Sequence, residues 1–444
     1  MANPILPLWE HIPDGEPRLF GNRIYLYGSH DRPASDSFCD TKLKVWSTDA
    51  VHPGKWICHG DIFHAQADAA HETDVTWYGS GMCYAPDSVE IRGKYYLFVY
   101  IFYGRGCVAV SDSPEGPFRV AGTYTWGENE EFPKGVAENG VLVDPGVLVD
   151  DDGKVYIYGG FERSWMAQVN PDKPWQIIPE TYKEDIIPAE EPFAFYEACS
   201  PRKIGNIYYL IYSPRKGHRL VYATAERPEG PFTYRGIIVD NGEGYPAGNN
   251  HGGLLKLGEQ WYIFYHRMTN GNLYSRQACA EKISILPDGS IPQVEMTSLG
   301  FEDSLNPYDT TEAHRACVLK QGLVKYLSPL QTVLAGLKNG SIAGYRYFDF
   351  GGGDSRTPMT LYLSVRGTGE CGRIRVRLDD PENGTELAEI PFGCCDAELK
   401  AETPAVTGRH ALYFTVEDGR TPPDWAQEDR ERELIQIKQF VFTR

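Results

Sequence analysis

Residues 141–160 read VLVDPGVLVDDDGKVYIYGG. The acids ahead of Gly153 make an Asp-Gly turn signal, and Val155, Tyr156, Ile157 and Tyr158 suit the strand that leaves it. Asp150, Asp151 and Asp152 therefore read as turn residues. Asp144 does not, because it stands inside the apolar run of Val141, Leu142, Val143, Val147, Leu148 and Val149, where a charge is costly to bury without a partner.

The same pattern recurs along the chain. A glycine, one or two polar residues and an aromatic-rich β run appear as GNRIYLYGS from Gly21, GKYYLFVY from Gly93, GKVYIYGG from Gly153, GNIYYLIYS from Gly205 and GEQWYIFYH from Gly258. Two of the turns that follow share the sequence PEGPF, beginning at Pro114 and Pro228. Each unit is a small sheet unable to bury both faces alone, so the spacing predicts a radial array, a five-bladed β-propeller. A sandwich with chance hairpins is the rival reading, and five registers of one pattern weigh against it. The 28 Tyr and 46 Gly, with few long helical patterns, place the chain in the all-β class. Further on, GYRYFDFGGG, MTLYLSVRG, GRIRVRLDD and LIQIKQFVF are short alternating strands that predict a smaller, jelly-roll-like β-sandwich. The expected domains are a propeller over 1–305 and a sandwich over 306–444.

A formal net charge of -18 disfavours nucleic acid and anionic membranes as partners, so a neutral ligand fits better. No stretch approaches the roughly 20 apolar residues of a membrane span. The opening MANPILPLWEH lacks the basic start and apolar core of a signal peptide. The ten cysteines show no paired zinc spacing and read as free thiols. A cytoplasmic location is expected, or a secreted one if a leader precedes this sequence.

Just upstream of each repeat glycine lies an ionisable residue: Asp14, Asp87, Asp144, Glu197 and His251. If the first strand of every blade lines the central channel, these side chains come from different sheets and meet in one axial pocket. Carboxyls crowded at low dielectric cannot all ionise at their ordinary pKa, so one holds a proton while another stays charged. A proton donor opposite a proton acceptor, in a pocket rich in Tyr and Trp, is equipment for glycoside hydrolysis. The plainer alternative is that these acids cap strands or hold a structural cation. For any one acid that alternative is the better bet; for five in register the site is.

At these residues the sequence resembles glycoside hydrolase family 43, over about residues 10–300. The motifs that carry the resemblance are PDGEPRLFGNRIYLYGSHD, YAPDSVEIRGKYYLF, VDPGVLVDDDGKVYIYGG, YEACSPRKIGNIYYLIYS and NNHGGLLKLGEQWYIFYHR. The resemblance implies an inverting enzyme in which Asp14 is the general base, Asp144 tunes and orients the acid, and Glu197 is the general acid. It places a structural calcium ion in the channel near His251, with no cofactor required for the chemistry, and an arginine contacting the innermost sugar at Arg276. Asp31, Tyr84 and Asp87 join Arg276 as the expected substrate-binding residues. The departures are Gly15 after Asp14 where the family has Pro, with Glu16-Pro17 as a rival alignment, Ala198-Cys199 after Glu197, and Tyr84 where Trp is common.

The implied function is removal of terminal pentoses, as an α-L-arabinofuranosidase, a β-D-xylosidase or both, from neutral arabinoxylan or arabinan fragments. The rivals are a β-D-galactofuranosidase or another exo-glycosidase of the same fold, and a non-catalytic sugar-binding propeller. A sialidase would need an arginine cluster, and the candidate channel residues are mainly acidic. The C-terminal strands resemble a carbohydrate-binding module of family 6, yet Trp425 is the only Trp after residue 300, so the aromatic platforms of such modules are missing.

Overall fold

The computed structural model describes the chain except for residues 1, 34, 67–80, 103–105, 130, 137–141, 243–248, 269–272, 329–330, 353–356 and 421–430. Trp425 lies outside the described residues. The chain forms two compact units, one of His11–Arg267 with Leu273–Glu295, the other of Met1–Glu10, Met268–Asn272 and Met296–Arg444. The first ten residues thus group with the C-terminal part of the chain.

The larger unit contains five sheets among its described residues, taken in chain order, antiparallel except where Thr125–Trp126 pairs in parallel with Lys173–Ile177 in the third. The first runs Glu16–Phe20, Arg23–Tyr27, Lys42–Asp49 and Ile57–His64; the second runs Cys83–Ile91, Lys94–Ile101, Cys107–Ser111 and Arg119–Thr123. The third is built on Gly146–Val149, Val155–Gly159, Trp165–Asn170 and Lys173–Ile177. The fourth runs Phe195–Ile204, Ile207–Pro214, Arg219–Ala225 and Thr233–Asp240, and the fifth Leu254–Leu257, Gln260–Arg267 and Gln277–Ile283. The repeat glycines make the tight turn between the first two strands of every sheet. Gly21, Gly93, Gly153, Gly205 and Gly258 all have φ between 57° and 81°, a left-handed conformation that side-chain-bearing residues adopt only with strain.

The first strands of the five sheets are tied to one another through two ion pairs, hydrogen bonds to the backbone and a backbone bridge. Arg18 of the first sheet donates from Nε to Asp87 of the second at 2.8 Å and from a terminal nitrogen to the carbonyl of Val147 of the third at 2.9 Å. The Val147 N–H donates in turn to Asp87 at 2.7 Å. Arg202 of the fourth sheet donates to Glu16 of the first at 2.7 Å and to the carbonyl of Leu254 of the fifth at 2.8 Å. A parallel bridge between Gly15 and Gly252 joins the fifth sheet back to the first. A Cβ on Gly253 would meet the Ser200 hydroxyl at 2.6 Å and the Arg202 guanidinium at 2.7 Å, so a larger residue there would push against the Arg202–Glu16 pair.

The turn that opened the sequence reading does more than reverse the chain. Asp150 accepts from the Tyr208 hydroxyl at 2.6 Å and pairs with Lys203, both on the fourth sheet. Asp152 pairs with Lys154 beside it and stays at the turn.

The second unit holds two antiparallel sheets. One orders Leu323–Ser328, Gln331–Leu337, Ile435–Thr443, Met359–Gly367 and Ala397–Thr403; the other orders Val318–Lys320, Ile342–Asp349, Arg409–Asp418, Gly372–Leu378 and Glu386–Phe392. Side chains from both meet in one apolar core that includes Leu334, Leu361, Leu363, Tyr345, Ile374, Phe414 and Phe440.

Candidate active site

In or shortly before every first strand lies a residue in the left-handed conformation that is not glycine. These are Asp14, Ala85, Asp144, Ala198 and Asn249, with φ of 57°, 30°, 49°, 69° and 64°. Such backbone costs of order 1 kcal/mol or more per residue and gathers where function needs it; Asp and Asn bear it best. In the fourth sheet the pairing slips between Glu197 and Ser200, a bulge that re-aims the Glu197 side chain.

Asp14, Asp144 and Asn249, with Tyr84 and Glu197 next to the other two, line a cavity of about 310 Å³ in the larger unit. Its polar lining is Asp14, Asp144, Glu197, Asn249, His251 and Arg276; Phe38, Tyr84, Tyr100, Phe102, Phe161 and Val143 form apolar walls. Asp14 and Asp144 are nearly buried, at 6% and 8% exposure.

Asp14 is held by two donors, Ser29 Oγ at 2.6 Å on Oδ2 and Arg276 at 2.9 Å on Oδ1. Its own N–H donates to His266 Nδ1 at 3.2 Å. Burial keeps the His266 ring well below its usual pKa, so it sits beside Asp14 as a neutral acceptor. Arg276 is clamped from the other side by Asp31, with Nε to Oδ2 at 2.9 Å and a terminal nitrogen to Oδ1 at 3.0 Å. The Arg276 backbone N–H donates to the same carboxylate at 3.0 Å.

The carboxyls separate in protonation. Burial raises Glu197, the anions of Asp144 and Asp14 raise it further against the pull of His251 and Arg276, and it is pushed up to about 8. Asp144 reaches about 6, through burial first, with His251 drawing it down and Asp14 driving it up. Near neutral pH Glu197 therefore holds a proton while Asp144 is mostly charged. One pocket thus contains a proton donor and carboxylate acceptors.

Asp14, Tyr84, Asp144, Glu197, His251 and Arg276 all line this pocket as the sequence suggested. Asp31 and Asp87 do not. Asp31 is fully buried beneath Arg276 and acts on the pocket through that arginine. Asp87 is fully buried too, with both oxygens committed to Arg18 and the Val147 N–H, which leaves none for a substrate hydroxyl. The residue of the second sheet that shares the backbone conformation of Asp14 and Asp144 is Ala85, two positions earlier. Sequence reasoning missed Phe38, Tyr100, Phe102, Phe161 and Asn249; only Asn249, two residues before His251 in NNHGG, carried a usable signal.

His251 was expected beside a calcium ion. Calcium takes six to eight oxygen ligands, whereas His251 brings a nitrogen and Glu16, 3.5 Å from its Nε2, is already paired with Arg202. Among the described residues no three His, Cys, Asp or Glu side chains gather around a common point. Burial alone would lower the imidazole, but Glu16, Asp14 and Asp144 outweigh it and raise it to about 9. The local positive charge is then the ring's own proton, and these residues do not fit a calcium cage built from protein.

An all-β chain whose strands bring a protonated glutamic acid and two aspartates into an aromatic-walled pocket has the equipment of a glycoside hydrolase. The model of glycosyl hydrolases family 43 matches residues 11–291, and the chain belongs to that family. It is 34% identical to a xylosidase/arabinosidase of Thermoclostridium stercorarium, covering 93% of this chain and 95% of that one. It is 27% identical to an arabinoxylan arabinofuranohydrolase of Bacillus subtilis (strain 168), over 92% of this chain and 88% of that one. Among solved structures, a family 43 β-xylosidase/α-arabinofuranosidase from a compost microbial metagenome, in complex with xylotriose and in a calcium-free form, matches with TM-score 0.54 at 28% identity. That match covers 66% of this chain and 97% of the other.

Proposed function

We propose that this glycoside hydrolase removes terminal L-arabinofuranose or D-xylose residues from xylan-derived oligosaccharides, with inversion at the anomeric carbon. The observation that carries the reading is the split in protonation inside one pocket, with Glu197 near 8 and two aspartates beside it. The names of the relatives support the pentose assignment. The small volume, near the lower end for ligand pockets, suits one terminal sugar.

In the proposed mechanism Asp14 takes a proton from water as the water oxygen bonds to the anomeric carbon. The bond to the leaving oxygen breaks, and Glu197 delivers its proton to that oxygen. Arg276 and Ser29 fix the Asp14 carboxylate, and the Asp144 anion keeps Glu197 protonated until bond cleavage. Acid, base and water complete the atom balance. One solved structure of the family is described as a calcium-free form; because His251 offers a nitrogen and Glu16 is paired with Arg202, an ion near His251 would be held mainly by water.

The architecture we propose is a five-bladed β-propeller followed by a β-sandwich over 306–444. The ring of linked first strands supports the former, and two sheets around one core the latter. A cytoplasmic location remains a proposal, supported by ten free cysteines.

The test is a panel of 4-nitrophenyl glycosides, product analysis on arabinoxylan and arabinan, and proton NMR of the first-formed anomer. Release of arabinose or xylose as the inverted anomer is expected. A retained anomer, or turnover of neither pentoside, would overturn the reading.

A further inference from the structure

Outside the active site, a cavity of about 720 Å³ with a mixed lining lies within the second unit. It runs over the outer side of the sheet that contains Gln331–Leu337, Met359–Gly367 and Ile435–Thr443, and the N-terminal segment contributes Pro7, Leu8 and Trp9 to its wall. Trp9 is 39% exposed, an unusual state for the largest apolar side chain.

The polar part of the lining is electrically balanced. Glu312 and Arg315 pair at 2.7 Å, and Lys438 pairs with Asp396 at 3.2 Å. His314 is 3% exposed and hydrogen-bonded to Thr332 at 2.7 Å. Burial, aided by Arg315, lowers its ring to about 3, so it stays neutral. The exposed side chains of Gln331 and Gln439 point amide donors and acceptors at the groove and make no side-chain hydrogen bond among the described residues. Neutral donors and acceptors beside one broad aromatic surface match a ligand with many hydroxyls, C–H faces and no charge.

We propose that this groove is a second binding site, for an uncharged oligosaccharide chain, with Trp9 as its stacking platform and Gln331 and Gln439 as its hydroxyl contacts. The aromatic surface of this groove comes from the N-terminal segment. The site holds polysaccharide without hydrolysing it, since it has no acid and base pair free of partners. The choice of arabinoxylan as probe rests on the proposed function.

The experiment uses the full chain. Migration through native gels containing soluble arabinoxylan is compared for Glu197→Gln, which does not consume the polymer, and for Glu197→Gln with Trp9→Ala. Turnover of 4-nitrophenyl pentosides is measured for Trp9→Ala alone. Trp9→Ala is expected to weaken retardation at least tenfold and leave turnover within twofold. Unchanged retardation overturns the proposal, as does absence of retardation in the parent. If Trp9→Ala lowers turnover and thermal stability together, the double replacement Gln331→Ala and Gln439→Ala decides: a threefold or greater loss of retardation supports the groove, and none overturns it. Failure of the proposed function shows separately, as absent pentoside turnover with retardation intact.

Discussion

One guanidinium serves two acids: Arg276 donates to Asp14 Oδ1 at 2.9 Å while its Nε donates to Asp31 Oδ2 at 2.9 Å. The fully buried Asp31 thereby fixes the position of a pocket residue without reaching the pocket. Removing it leaves a buried cation with Asp14 as the one acid bonded to it among the described residues. Asp31→Ala should lower stability by about 3–5 kcal/mol in urea unfolding and reduce kcat more than it raises KM. Unchanged unfolding would remove Asp31 from this role.

Glu197 is assigned the donated proton, and its replacement separates substrates by leaving group. Glu197→Gln should lose roughly 10²–10⁴-fold on xylo- and arabino-oligosaccharides and much less on 4-nitrophenyl glycosides, whose leaving group needs no proton. Equal losses on both, or none, would count against it as the acid.

The pH profile should follow the carboxyl cluster as a coupled set. Activity is expected to fall as pH rises through about 8, where Glu197 loses its proton. In Asp144→Asn the neighbouring anion is gone, so the alkaline limb should move to lower pH. Asn tolerates the left-handed backbone at that position, which keeps the change electrostatic. An alkaline limb that stays in place would contradict the coupling.

The same shift bears on stability. Glu197 binds a proton in the folded state up to about 8, whereas an unfolded glutamate releases it near 4.3. Between those values the folded state holds the extra proton, so wild-type stability should decline as pH rises through the window. Glu197→Gln lacks that slope and should be the more stable protein at pH 8.5, by up to about 5 kcal/mol in chemical denaturation. Parallel stability curves for the two proteins would refute the shift.

Asp87 gives the opposite contrast. Asp87→Ala should cost about 3–5 kcal/mol by leaving Arg18 buried without its acid, and any folded fraction should keep its KM. A raised KM at full stability would return Asp87 to the substrate.

The hairpins were legible in the sequence because a glycine at positive φ is a local requirement, and five of them mark five turns. Asp144 was legible because an acid inside an apolar run needs a reason to be there, and Asp14 and Glu197 because each stands at a similar distance ahead of a repeat glycine. Phe38, Tyr100, Phe102 and Phe161 were not, since an aromatic residue in a strand reads the same whether it fills a core or walls a pocket. Asp31 was misplaced because its partner lies 245 residues away. Asp87 was misplaced because the repeat was counted in ionisable side chains.

What recurs from sheet to sheet is a bend in the main chain, at Asp14, Ala85, Asp144, Ala198 and Asn249. Two of these positions carry carboxylates, one an amide and two only a methyl group. The internal repetition is therefore a record of shape, and chemistry was placed on it unevenly. Sheets of this kind are better aligned by torsion angle than by residue type, and the buried methyl groups of Ala85 and Ala198 mark the two sheets that kept the bend without a polar side chain on it.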